Sequence, residues 1–189
     1  AADGAASGHL ALPVVRSRAA RAAAGREVHL GWQLERAGGS ATYRSELTVR
    51  RTLPLGEWTA HLLGRIDGVD REDDRQVVEE VKSTPLDAGR LYRTRAEDWP
   101  AWLAQLEIYL WMLADAAPDA PPPVGRLVLV SLADGSRHVI GVGLDAPRVE
   151  GRIRAQLGAL VAARERRIVW MAARRGRSVP VPHAGWRAG

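Results

Sequence analysis

Two periods run through the chain, and each stretch follows one of them. Residues 14–36 are rich in Ala, Arg and Leu with helical character, and the pattern stops at "AGGS". Three stretches then alternate in the manner of strands: "TYRSELTVRRTL", "TAHLLGRIDGVD" and "RQVVEEVKS". The charged turn "REDD" joins the last two, and Asp70, Glu72, Asp73 and Asp74 read as its solvated acids. "AWLAQLEIYLWMLADA" is a strongly apolar helix with Pro100 at its entry, ended by "APDAPPP". Its Trp102, Leu103, Leu106, Leu110 and Trp111 read as core. "VGRLVLVSLADGSRHVIGVGL" predicts a hairpin that turns at "ADGS". The last helix begins near Asp145, its expected N-cap, carries Pro147 in its first turn and runs to about Arg174. The order α, three strands, α, two strands, α predicts an α/β fold with a central mixed β-sheet flanked by helices.

Length adds a boundary to this picture. The 189 residues fit one domain with a real core, expected over residues 14–175. Residues 1–13 are small and Gly/Ala-rich and read as a flexible start; residues 176–189 read as an extended tail. No apolar run is long enough to span a membrane, and the first residues lack the layout of a signal peptide. The expectation is a cytoplasmic protein.

Composition removes several chemistries. The chain has no cysteine, which excludes disulfides, thiolate zinc sites, iron–sulfur clusters and cysteine nucleophiles. The serines lack the setting of a nucleophile elbow, and the glycines lack phosphate-loop spacing. Carboxylate and histidine ligands for a divalent metal remain. A formal charge of +5 leans toward an anionic partner such as nucleic acid. The last helix carries Arg148, Arg152, Arg154, Arg164, Arg166, Arg167, Arg174 and Arg175, which either track a nucleic-acid backbone or form an ordinary solvated face.

One residue stands apart from the arginine bias. Lys82 is the only lysine among 27 basic residues, and it lies two positions after Glu80 on a predicted strand. Alternation puts both side chains on one side. A turn centred between Asp73 and Asp74 sets residues whose numbers sum to 147 opposite each other, so Asp67 faces Glu80. Directly opposed side chains have Cβ atoms about 4.5–5.5 Å apart, and two carboxylates at that separation need a proton or a cation between them. An ammonium is compact and its pKa falls readily when crowded, whereas a guanidinium is broad and stays charged. Lysine at this position therefore suits a water held beside a metal; the bland alternative is a solvated edge residue.

"GRIDGV" followed by "VVEEVKS" resembles the PD-(D/E)XK nucleases, particularly their RecB-like branch. Asp67, Glu80 and Lys82 match the aspartate on one strand and the (D/E)-x-K on the next. Glu79 is the adjacent acid, but only Glu80 has the x-Lys spacing. "AAAGREVHLGWQ" looks like the family's helical G-x-x-x-H element, with Gly25 and His29, and "AWLAQLEIYLWML" like its Q-x-x-x-Y helix, with Gln105 and Tyr109. Glu46 sits where the family often has a strand glutamate. The agreement in order and interval covers residues 25–109. The resemblance implies a restriction-endonuclease-like core and metal-dependent phosphodiester hydrolysis. Asp67 and Glu80 would bind Mg²⁺ or Mn²⁺, with His29 and Glu46 as further ligands. Lys82 would orient water or stabilise developing charge, and Gln105 and Tyr109 would steady the Lys82 region or touch DNA. His61, His138 and His183 match no pattern and receive no role.

The tail "VPVPHAGWRAG" resembles the lead-in to the nucleotide-binding motif of XPD/DinG-like helicases. That implies a nuclease domain acting in DNA repair beside a helicase domain, on single strands or DNA ends. The other readings are a non-catalytic DNA-binding or docking module with the same fold, and a restriction-type enzyme.

Overall fold

The computed structural model of the protein describes residues 18–175. The expected flexible start, the first residues of the opening helix and the tail 176–189 lie outside the described residues. Helix α1 spans Arg18–Gly39 and is followed by strands β1 (Arg44–Leu55), β2 (Trp58–Glu72) and β3 (Arg75–Thr84). A single helical turn, α2 (Ala88–Leu91), and a 3₁₀ turn (Ala96–Asp98) lead into α3 (Pro100–Ala116). Strands β4 (Val124–Ser131) and β5 (Arg137–Val142) and helix α4 (Ala146–Arg175) complete the order. The two short turns carry too few residues to show a period, and the sequence pattern does not reveal them.

The five strands form one mixed sheet in the order β1-β2-β3-β4-β5. Hairpin turns make β1/β2, β2/β3 and β4/β5 antiparallel, while β3 and β4 are parallel because α3 carries the chain over one face between them. Asp73 and Asp74 form the β2–β3 turn with φ of 47° and 61°. Left-handed backbone at both central residues is what a tight two-residue hairpin needs, and Asp tolerates it. The register follows: Glu72 pairs with Arg75, and the ladder continues to Gly68 opposite Glu79.

Helix α3 covers one face. Leu106, Leu110, Trp111 and Leu113 are buried against Leu127 and Leu129 of β4, with Trp102 and Leu103 packed at the margin. Gly64 on β2 leaves room for the Tyr109 ring: a Cβ there would stand 2.5 Å from Tyr109 Cε1. Helix α1 covers the opposite face, where Val28 and Trp32 pack on Val81, Val128 and Val130. Gly25 permits that approach, since a Cβ would meet Ser83 Oγ at 3.1 Å. Asp145 caps α4 as expected, accepting from the Arg148 amide at 3.1 Å.

The expected solvated turn is only half solvated. Asp70 is 3% exposed and accepts hydrogen bonds from Ser40 Oγ (2.8 Å), Thr42 Oγ1 (2.6 Å) and Arg36 (2.9 Å). Glu72 takes two 2.7 Å hydrogen bonds from Arg126. Burial alone would raise the Asp70 pKa, but the hydroxyls of Thr42 and Ser40, the Arg71 amide and Arg36 outweigh it and hold the carboxyl below its usual range. Asp74 alone among these acids keeps a side chain as open as 90%.

Candidate active site

β3 lies in the middle of the sheet, and Glu80 on it is 0% exposed. Its carboxylate touches the Lys82 ammonium through Oε1. Oε2 is buried with no hydrogen-bond partner. Burial raises the Glu80 pKa to about 7; the Asp67 charge pushes the same way and Lys82 opposes it. Asp67 is therefore close enough to be felt electrostatically, as the sequence-derived register requires.

The continuous β2–β3 ladder nevertheless ends one pair short of Asp67 and Glu80. Asp67 Oδ2 instead accepts the Val81 amide at 2.8 Å. Ile66 and Val69 both belong to the core that holds α3, although residues an odd number apart should face opposite ways. The alternation breaks between them. β1 shows the same interruption: Ser45 pairs with Gly68 and Leu47 with Ile66, but Glu46 and Asp67 leave the ladder, and Glu46 has a φ of 56°. Non-glycine residues held in that region collect at functional sites. The irregularity frees the Asp67 carboxylate from a fixed face, so it meets β3 through Val81 and lies 3.8 Å from His29 Nδ1 on α1.

The remaining sequence-derived candidates divide. Gln105 Nε2 donates to the Tyr109 hydroxyl at 3.2 Å, which confirms a shared helix face beneath Gly64. Glu46 is turned toward Arg65, 2.7 Å from its Nε, and accepts from Gln33 Nε2 at 3.1 Å. Gln33 is the residue sequence reasoning missed. Its Nε2 also donates to the Asp67 carbonyl at 3.0 Å, tying α1 to both interrupted strands. It lies four residues after His29, one turn along the same helix face, and that spacing was the available signal. His29, Gln33, Glu46 and Arg65 line an open groove of about 410 Å³ between α1 and the β1–β2 hairpin.

Glu79, the neighbouring acid, points to the other face. It accepts from Trp32 Nε1 at 2.7 Å and lies 3.0 Å from Arg36 Nε, so its partners are in place. Burial still raises its pKa against the opposing pull of Trp32, Arg36 and Arg126. The two consecutive glutamates thus differ in kind: Glu79 is matched by fixed donors, while Glu80 keeps a bare oxygen.

Among the described residues no three His, Asp or Glu side chains form a ready cage for a metal. Mg²⁺ does not require one, since it binds through one or two carboxylates and keeps several waters. The orphaned Glu80 Oε2, the adjacent Asp67 charge and the hard oxygen donors fit such an ion. Glu46, already engaged by Arg65 and Gln33, is not free to join it in this arrangement.

Among the described residues no helix is long and apolar enough to cross a membrane. No curated protein matches the chain. A solved structure, that of SSO0001, superposes with a TM-score of 0.50 at 22% identity, over 75% of this chain and 60% of that one. The chain thus spans about 60% of that relative's length, and the likeness concerns the fold. The sequence profile described as the PD-(D/E)XK nuclease superfamily matches residues 3–179. With the mixed sheet, its two interrupted strands and the Asp67, Glu80 and Lys82 set in register with that signature, the chain belongs to the PD-(D/E)XK nuclease superfamily.

Proposed function

We propose that the protein is a divalent-metal-dependent DNA nuclease that hydrolyses phosphodiester bonds in single strands or at DNA ends. The observation that carries the reading is the buried Glu80 carboxylate, in contact with the lone lysine through one oxygen and bare at the other. Asp67 and Glu80 would hold Mg²⁺ or Mn²⁺, with His29 the nearest additional ligand. The ion supplies a polarised phosphate and a bound water of lowered pKa. Lys82 orients that water and balances charge on the attacked phosphate; its contact with Glu80 fixes where the ammonium stands. The Val81 amide and Gln33 hold Asp67 in place. Gln105 and Tyr109 support the wall under Gly64, and Glu46 serves as the tether of Arg65.

The RecB-like branch is favoured by the helical His29 element and the Gln105/Tyr109 helix. A helicase domain in the same protein is favoured by the tail motif, and together they point to work in DNA repair. The test is incubation of the purified chain with end-labelled single- and double-stranded DNA in Mg²⁺, Mn²⁺ or EDTA. Cleavage that needs metal and disappears in Lys82→Ala supports the enzyme. Metal-independent binding with no cleavage in either ion supports a docking module instead.

A further inference from the structure

We propose that Tyr92 is a stacking platform for a base of single-stranded nucleic acid, beside the face of the sheet that carries Lys82. The proposal deepens the nuclease reading and rests on it for the role of that face. Lys82 pairs in register with Leu129, and Leu129 with His138, so the three form one row across β3, β4 and β5. Residues in one such row share a face, and strands lie about 4.8 Å apart, which makes the row about 10 Å long. Tyr92 meets the His138 ring edge-on, with centroids 5.7 Å apart at 90°. His138 is fixed in turn, its Nε2 3.2 Å from the Thr94 carbonyl. The edge-on contact leaves the flat face of Tyr92 open, and the residue is 56% exposed.

The packing of this segment does not need that ring. Leu91 beside it is fully buried and makes the core contact. What surrounds Tyr92 is cationic: Arg90, Arg93 and Arg95 are all exposed. None of the ion pairs among the described residues uses them. The first arginines of α4 differ, because Arg148 and Arg152 are spent on Glu107 and Arg154 on Glu150. An open aromatic face among unmatched guanidinium groups is the arrangement that binds single strands without sequence preference: the ring takes a base, the cations take the backbone. Bases in a duplex are stacked on one another and present no free face, so the platform selects an unpaired strand. The 10 Å row corresponds to roughly three nucleotide rises of 3.4 Å between Tyr92 and Lys82.

The experiment is fluorescence anisotropy of a labelled oligo-thymidine, and of a duplex of equal length, in EDTA so that no strand is cut. The proteins are wild type, Tyr92→Ala and Tyr92→Phe, each checked by thermal melting. The expected result is about tenfold weaker single-strand binding for Tyr92→Ala, near-normal binding for Tyr92→Phe, and little change for duplex. Single-strand binding by Tyr92→Ala equal to wild type, equal losses on both substrates, or no single-strand binding by wild type would overturn the proposal. If the wild type binds through Tyr92 yet never cuts DNA in Mg²⁺ or Mn²⁺, the platform stands and the nuclease reading falls. If it cuts while Tyr92→Ala binds normally, the reverse holds.

Discussion

Lys82 stands against the Glu80 carboxylate two residues earlier on β3, an ammonium in contact with an acid that water does not reach. The contact ties the protonation of Glu80 to Lys82, since the lysine charge is what opposes burial there. Lys82→Ala should therefore act twice, removing the group proposed to steady the attacking water and raising the Glu80 pKa further. Single-turnover cleavage of a labelled oligonucleotide at pH 7 with Mn²⁺ should fall by about 10²-fold or more. Lys82→Arg should not restore it, because a planar guanidinium does not fit the position of a compact ammonium. Full activity in Lys82→Arg would show that only positive charge matters at this position.

The pH dependence of the metal-free protein has a defined sign. The Glu80 pKa lies at about 7 in the fold against 4.5 for the free group. The folded state therefore holds its proton more tightly than the unfolded state does. Stability from this carboxyl is complete below about pH 4.5 and is lost as pH rises through about 7, at a cost of up to about 3 kcal/mol. Glu80→Gln removes the dependence. In EDTA, the stability of wild type relative to Glu80→Gln should fall steadily from pH 5 to pH 8 by urea denaturation, and a flat difference would refute the buried-acid assignment. Metal binding, which needs the ionised form, should strengthen over the same interval.

Gln33 joins α1 to the two interrupted strands, with Glu46 on one and the Asp67 carbonyl on the other. Gln33→Ala should cost about 1–2 kcal/mol and loosen Asp67. Calorimetric titration with Mn²⁺ should show weaker binding by several-fold. Glu46→Gly provides the contrast. It removes a left-handed glutamate, at a backbone saving of about 1 kcal/mol, and an exposed Arg65 pair worth less than that. Its thermal stability should equal or exceed wild type with unchanged Mn²⁺ affinity, whereas lost affinity would make Glu46 a ligand.

The fold was legible because its signals are local. The Asp73–Asp74 pair set the β2–β3 register, and the proline-bounded apolar run set α3. The acid–acid–lysine set was legible for the same reason: its spacing lies within one hairpin. The break at Asp67 was not, because it arises from how β1 and β3 both leave the ladder around one residue of β2. Asp70 and Glu72 read as solvated because their partners, Arg36 and Arg126, arrive from distant parts of the chain. Long-range pairing leaves no mark in local period. The arginines of α4 illustrate the same limit, since charge count alone cannot distinguish Arg148 and Arg152, held by Glu107, from the unmatched residues near Tyr92.

Glu107 is the buried acid on α3 that fastens α4 to the domain. It is 2% exposed and lies against Arg148 and, at 2.9 Å, Arg152. The carboxylate is desolvated while both arginines still reach water, so the cost of removing it is smaller than for a fully enclosed pair. Glu107→Ala leaves a small cavity and two unmatched cations, and should destabilise by about 2 kcal/mol. For a chain of this size that lowers Tm by roughly 4–8 °C. Glu107→Gln keeps the volume and an acceptor and should lose less. Because the pair fastens α4 and does not touch Asp67, Glu80 or Lys82, metal-dependent cleavage by folded Glu107→Gln should match wild type at 20 °C. A cleavage defect with unchanged Tm would instead make Glu107 part of the catalytic apparatus.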